Sequence, residues 1–307
     1  MLPRKERIVS MQEKDANIFL RKAIELTRKK NYKMAYSLFQ DALNRYTEID
    51  DEDGKTRTLS GLVKLFAIQG DKHQADSICS ILSAQPNLNK THSIFYTEAI
   101  AFNSYQSKEL DKLLALFNQI DENQNNLEIK SIVASYVILC SFGENSTSTA
   151  AMVNFLETRY DGLLNLSKSH LLQNIETTAL AAYALAINLY SKNEFERSAK
   201  YIATALDYDI QTENSRGIAD DYYLSGKISF QTKKFNQAIE DFHNANDIYS
   251  AIGESQGART SSVFALISEY KVSGNPVLLK SLKEIQSAVE SKELIELIKK
   301  YISEETR

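Results

Sequence analysis

The chain has 307 residues, of which 43% are hydrophobic and 25% are charged, and its formal net charge at pH 7 is −4. This composition is too apolar for a disordered chain, and it lacks the basic excess expected of a dedicated nucleic-acid-binding protein. Three prolines and ten glycines are few for this length, which favours long helices joined by short turns.

Residues 1–15 are expected to form a short N-terminal lead, because they hold no apolar segment typical of a signal peptide. The two cysteines, Cys79 and Cys140, lie inside apolar helical patterns, and reduced thiols in such positions fit a cytoplasmic protein. The alternative is a bacterial lipoprotein or exported protein whose signal has been trimmed from this chain.

Residues 16–290 are predicted to repeat one helix pair, and the clearest copy spans residues 219–252. One helix of this copy carries a bulky and a small residue, and the next alternates aromatic residues with alanines: Tyr222, Gly226, Phe235, Ala238, Phe242 and Ala245. We expect Gly226 and Ala238 where the two helices cross, because a larger side chain there would hold the backbones apart.

Weaker copies place the anchors of seven pairs near residues 35, 75, 113, 151, 198, 238 and 278. The pattern resembles the tetratricopeptide repeat, and its period near 40 residues resembles the longer repeats of bacterial sensor and regulator proteins. The resemblance implies an all-α, right-handed superhelical α-solenoid of about seven helix pairs. It also implies a role in binding a protein or peptide, without identifying the partner.

Three further segments stand out in chain order. The acidic residues 50–53 predict a solvated turn that opens the second pair. The fourth and fifth anchors are 47 residues apart, which is longer than the other separations. We expect segment 159–178 to account for the difference with a longer helix or an extra turn around Gly162. We also expect this segment to form a joint within one solenoid. Residues 291–307 alternate apolar and charged residues at helical spacing, which predicts a capping helix and tail, with a membrane-surface helix as the alternative.

No catalytic pattern is present. The four histidines are scattered, none has a second ligand at a metal-binding interval, and neither cysteine has the local signature of a nucleophile. No apolar run reaches the roughly 18 residues of a membrane span. The sequence therefore predicts no enzyme, no cofactor, no metal and no membrane span.

In repeats of this type the first helix of each pair lines the concave groove. The register then assigns to the groove a basic set followed by an aromatic one: Arg21, Arg28, Arg57, Lys64, Phe102, Tyr105, Tyr136, Tyr183, Tyr190, Tyr223, Lys227 and Phe230. Tyrosine buries a large area and keeps a hydroxyl for hydrogen bonding, which suits a peptide-binding surface, and the basic residues suit an acidic segment or a terminal carboxylate. Ordinary core packing of the aromatic residues is the alternative.

These observations predict a non-enzymatic scaffold or adaptor that binds a protein segment or peptide in its concave groove, without a nucleic-acid partner. The alternative is a peptide-responsive regulatory sensor whose superhelical pitch changes when ligand binds.

Overall fold

The computed structural model describes residues 4–84, 90–120, 126–142, 146–169, 171–288 and 292–305. Within these residues there are fifteen α-helices and no strand. The helices are α1 (Arg4–Arg28), α2 (Tyr32–Glu48), α3 (Glu52–Ile68), α4 (Lys72–Ser83), α5 (Lys90–Gln106), α6 (Leu110–Gln119), α7 (Leu127–Cys140), α8 (Thr147–Ser167), α9 (Leu172–Ser191), α10 (Phe195–Gln211), α11 (Ser215–Gln231), α12 (Phe235–Ala251), α13 (Ser255–Ser273), α14 (Pro276–Ala288) and α15 (Lys292–Glu305). From Arg4 onward, the stretch predicted as a lead belongs to α1.

The chain forms two compact units, Met1–Ala184 (unit 1) and Leu185–Arg307 (unit 2), and the division falls inside α9. In unit 1, α1 packs on α2, α2 on α3, α3 on α4 and α5, and α5 on α7. In unit 2, each helix from α10 to α15 packs on the next, and α15 also packs on α13. This serial packing of helix pairs confirms the predicted α-solenoid. The joint over 159–178 stays a prediction.

The 40-residue period follows from the length of one helix and its turn. Helices α2, α3, α11 and α12 each have 17 residues, and three-residue turns join the members of each neighbouring pair. The middle residue of such a turn adopts a left-handed conformation, with φ of 57° at Asp50 and 61° at Lys233. The amide of the next residue then donates to the carbonyl five positions earlier in the Schellman arrangement, as Asp51 N does to Tyr46 O at 2.9 Å.

The helix crossings depend on small residues facing aromatic rings. Ala35, Ala75 and Ala238 are fully buried at the fourth position of their helices. A Cβ atom added to Gly226 would lie 2.8 Å from the ring of Phe242, so α11 and α12 approach closely at the predicted Gly226 position, and a larger side chain there would displace the ring.

The structure corrects the predicted position of the fourth anchor and explains the 47-residue separation that follows it. Ala151, the predicted anchor of the fourth pair, is exposed, and Thr149 and Met152 take the buried positions; the register there is shifted because this copy lacks the aromatic and alanine pattern. The 47-residue step is filled by longer helices, since α8 has 21 residues and includes Gly162, while α9 has 20.

The helix α15 covers the end of unit 2. Its Leu294 and Ile298 are buried against Val263 and Ile267 of α13 and Leu282 of α14. The predicted capping helix is therefore present, and it closes the apolar face of the last pair.

Candidate functional site

The candidate site lies on the first helices of the pairs, which we call the A helices. They are α1, α3, α5 and α7 in unit 1, α11 and α13 in unit 2, and α9, which contributes its two ends to different units. Side chains spaced three or four residues apart on these helices share one side. We call the surfaces they form the unit 1 face and the unit 2 face and describe each by itself.

Ion pairs bring distant A helices together on the unit 1 face. Arg28 Nη2 of α1 lies 2.7 Å from Glu176 Oε1 of α9, although 148 residues separate them in sequence. Lys64 Nζ of α3 lies 2.5 Å from Glu98 Oε1 of α5, and Gln173 Nε2 donates to the other oxygen of Glu98 at 3.4 Å. Two of the basic residues predicted to capture an acidic ligand thus already hold acidic partners in the chain.

Burial acts on the Glu176 carboxylate of this network. It raises the pKa of Glu176, an effect that the positive charge of Arg28 opposes. The side chains of Arg28 and Glu176 keep 35% and 29% exposure, so solvent reaches the pair and screens it.

The other two residues of the first basic set, Arg57 and Arg21, are not members of these two ion pairs. Arg57 stands over the ring of Tyr46, with Cζ 5.8 Å from the ring centroid, and its Nε lies 4.0 Å from Asp53 Oδ2. Arg21 is exposed on α1. The grouping of the four residues into one ligand-binding patch stays a prediction.

Three predicted aromatic residues do come together in unit 1. The ring of Tyr136 stacks on Tyr105 with 5.3 Å between centroids and meets Phe102 edge-on at 6.0 Å. Tyr136 is only 7% exposed, and burial raises the pKa of its hydroxyl, whereas Phe102 and Tyr105 are half-buried. Tyr136 thus serves mainly as a base on which the other two rings rest. Tyr183 is half-buried on α9.

Lys227 and two tyrosines form the centre of the unit 2 face. Lys227 Nζ lies 4.6 Å from the ring centroid of Tyr190 and 5.7 Å from that of Tyr223. All three side chains are half-buried. Burial lowers the pKa of Lys227 and raises the pKa values of both tyrosines, because each charged form loses contact with water.

An aromatic cluster continues this face from Phe230, one helical turn beyond Lys227. The ring centroid of Phe230 lies 6.3 Å from Phe264 of α13 and 6.1 Å from Tyr301 of α15. Phe264 in turn stacks at 5.2 Å on Phe242, which is fully buried. The cluster therefore has a core-packing base and a half-buried upper layer.

Sequence reasoning left Glu176 and Tyr301 out of the predicted groove. Glu176 lies seven residues before Tyr183 on α9, which is two helical turns and therefore the same side of the helix. This seven-residue spacing could have assigned Glu176 to the same surface as Tyr183. Tyr301 lies in the capping helix, for which the pattern indicated only an apolar side.

A second concave feature lies between α10, α11 and α12 of unit 2. It is a cleft of about 440 Å³ lined by residues that include Ile202, Tyr222 and Asp241. Asp241 already accepts hydrogen bonds from Ser225 Oγ at 2.8 Å and Gln237 Nε2 at 3.0 Å. The carboxylate of Asp241 therefore has hydrogen-bond donors within the protein, whereas the ammonium group of Lys227 lies over two aromatic rings.

The part of the chain that the structure describes contains no group of three or more histidine, cysteine, aspartate or glutamate side chains placed to hold a metal ion. Cys79 and Cys140 are not joined in a disulfide. Burial raises the pKa of Cys79 to about 11, which leaves little nucleophilic thiolate at neutral pH. None of the described helices is both long enough and apolar enough to cross a membrane.

Comparison with known proteins adds information on the fold. No protein-family model and no curated protein matches this chain. The chain is similar to a solved structure described as the apo form of RapI, with 12% sequence identity and a TM-score of 0.55; the match covers 92% of this chain and 80% of that one. At this identity the similarity supports a helical-repeat fold and carries no function with it.

Proposed function

We propose that this protein is a non-enzymatic scaffold or adaptor that binds a protein segment or peptide on its A-helix faces. Helical repeats of this type expose a row of side chains that the packing of the pairs does not use. The proposal needs a surface that is partly exposed, rich in aromatic rings and fixed in position by the core beneath it.

The unit 2 face is the observation that carries the proposal. Tyr190, Tyr223 and Phe230 are half-buried. Tyr223 packs on the fully buried ring of Phe242, and Phe230 packs on the half-buried ring of Phe264. Rings held in this way contribute contact area to a ligand while losing little conformational entropy on binding.

A peptide-display selection on the full chain tests the proposal. Peptides of twelve random residues would be selected, and their dissociation constants measured on Tyr190→Ala and on the control Tyr36→Ala, which truncates an exposed tyrosine of α2. We expect Tyr190→Ala to weaken the selected peptides about tenfold or more, as loss of an aromatic anchor does, and Tyr36→Ala to leave them unchanged. Failure to select any peptide, or equal loss on both variants, would contradict the proposal.

A second candidate function is a peptide-responsive regulator, and the ion pair between Arg28 and Glu176 favours it. This pair fastens the end of the first A helix to the start of the fifth, so an acidic ligand that competes for Arg28 would release α1 from α9. Small-angle scattering of Arg28→Ala and wild type tests this. We expect a larger radius of gyration for the variant, and superimposable curves would dismiss the regulator.

A further inference from the structure

The basic side chains on the unit 1 face and the unit 2 face differ in whether a carboxylate pairs with them. Arg28 and Lys64 each hold a carboxylate at ion-pair distance. Lys227 has no hydrogen bond or ion pair to any side chain in the described ranges. Its ammonium group instead lies over the rings of Tyr190 and Tyr223.

Two ring faces do not neutralise an ammonium group. A cation over an aromatic face is attracted by the ring quadrupole, but a buried charge normally requires an opposite charge as well. The lowered pKa of Lys227 has burial as its cause, with no carboxylate opposing it. The charge is therefore desolvated by the fold and left available to an anion that arrives from outside.

We propose that Lys227 anchors a carboxylate of a bound peptide segment, either an aspartate or glutamate side chain or the C-terminal carboxylate, with a neighbouring apolar side chain of the peptide resting on Phe230. This inference rests on the proposed function, since it names the ligand chemistry of the same face.

The surroundings favour a carboxylate over a phosphate. One ammonium group complements a single negative charge, whereas phosphate groups are typically bound by arginine forks or several donors. Phe230 follows Lys227 by three residues on α11, so both project from the same side of the helix. A ligand that reaches both groups must present its apolar side chain next to its carboxylate.

Four synthetic heptapeptides, labelled at the amino terminus with an uncharged BODIPY fluorophore, test the anchor by fluorescence polarisation on the full chain. Two carry a carboxylate: one ends in Phe-Asp with an amidated C-terminus, and the other ends in Phe with a free C-terminus. Their neutral counterparts end in Phe-Asn-amide and Phe-amide. The first pair tests a side-chain carboxylate and the second a terminal one.

We expect at least one carboxylate peptide to bind about tenfold or more tightly than its neutral counterpart, as the loss of a charged hydrogen bond implies. Lys227→Met should abolish this preference, and Lys227→Arg should retain it in part. The control is Lys200→Met, which removes an exposed lysine from α10 and should change nothing.

A readout without ligand accompanies these measurements. Because methionine replaces a half-buried ammonium with an apolar group of similar length, Lys227→Met should raise the urea midpoint of unfolding. A fall in that midpoint would mean that the ammonium is satisfied within the fold, and it would overturn the anchor.

The outcomes separate the inference from the proposed function. Equal binding of charged and neutral peptides on wild type and Lys227→Met overturns the anchor and leaves peptide binding intact. Absence of binding by all four peptides also overturns the anchor, while the display selection with Tyr190→Ala still decides whether the face binds peptides at all.

Discussion

The buried carboxyl group of Asp221 makes the stability of unit 2 depend on pH in a direction opposite to that of a salt-bridged carboxylate. Asp221 lies in α11 with no exposed surface. Neither of its oxygens receives a hydrogen bond from an N–H or hydroxyl donor within the described residues, and its carboxyl neighbours are Asp209 and Asp220. Burial, reinforced by the charge of Asp209, raises the pKa of Asp221 well above its usual value.

The sign of the effect follows from this raised pKa. In the unfolded chain Asp221 ionises near pH 3.9, whereas in the folded chain it keeps its proton to higher pH. Its contribution to stability is therefore complete below the unfolded pKa and is lost as the pH rises towards the folded pKa.

We expect Asp221→Asn to remove this loss, because an asparagine amide resembles the protonated carboxyl and donates to Asp209 at every pH. In the window above pH 4, one retained proton changes the free energy of unfolding by about 1.4 kcal/mol per pH unit. Between pH 4.5 and pH 6.5 the gain of the variant over wild type should therefore grow with pH, and its upper limit is about 2.7 kcal/mol, which corresponds to a full proton retained by Asp221 over that range.

Urea unfolding followed by circular dichroism at both pH values measures this gain. Asp247→Asn, which removes an exposed carboxylate from α12, controls for the change in net charge. A difference between Asp221→Asn and wild type that stays constant with pH, or that shrinks as the pH rises, would refute the reasoning.

Three further predictions concern the turns and crossings, and each is measured as a free energy of unfolding in urea. Gly61→Ala should destabilise by about 1–3 kcal/mol, because the new Cβ would lie 2.5 Å from the ring of Phe39; an unchanged midpoint would contradict this crossing. Lys233→Gly should stabilise by up to about 1 kcal/mol, since Lys233 has a φ of 61°, whereas Lys200→Gly inside α10 should destabilise by about 1 kcal/mol. Asp51→Ala should cost about 1 kcal/mol, because the Asp51 carboxylate caps α3 at 2.9 Å; a smaller loss than for an exposed aspartate elsewhere would count against the cap.

The crossings were predictable because their signal is local. Gly226, Ala238 and Phe242 lie within 17 positions of each other, and their types and spacing alone require two helices in close approach. The fourth pair was placed less well, since Thr149 and Met152 fill its buried positions and neither residue type belongs to the repeat pattern.

The ion pairs were not predictable for a different reason. Helical spacing places Arg28 and Glu176 each on the outer side of an A helix, but it contains no information on the distance between helices 148 residues apart. That distance depends on the accumulated rotation of the three intervening pairs, so small changes in each crossing add up. The spacing within one helix, by contrast, was sufficient to group Tyr223 with Lys227.

The regular turns have a consequence for how such a chain changes its length. Residues in the left-handed conformation recur at Glu213, Lys233 and Gly253. The backbone therefore has similar geometry at the turn that contains Glu213 and at the turn that contains Gly253, which lie one helix pair apart. A genetic exchange between these points removes or duplicates one helix pair and leaves both new junctions unstrained. Chains with one pair more or fewer are thus accessible by a single recombination event, and their ligand-binding faces would lengthen or shorten by one A helix.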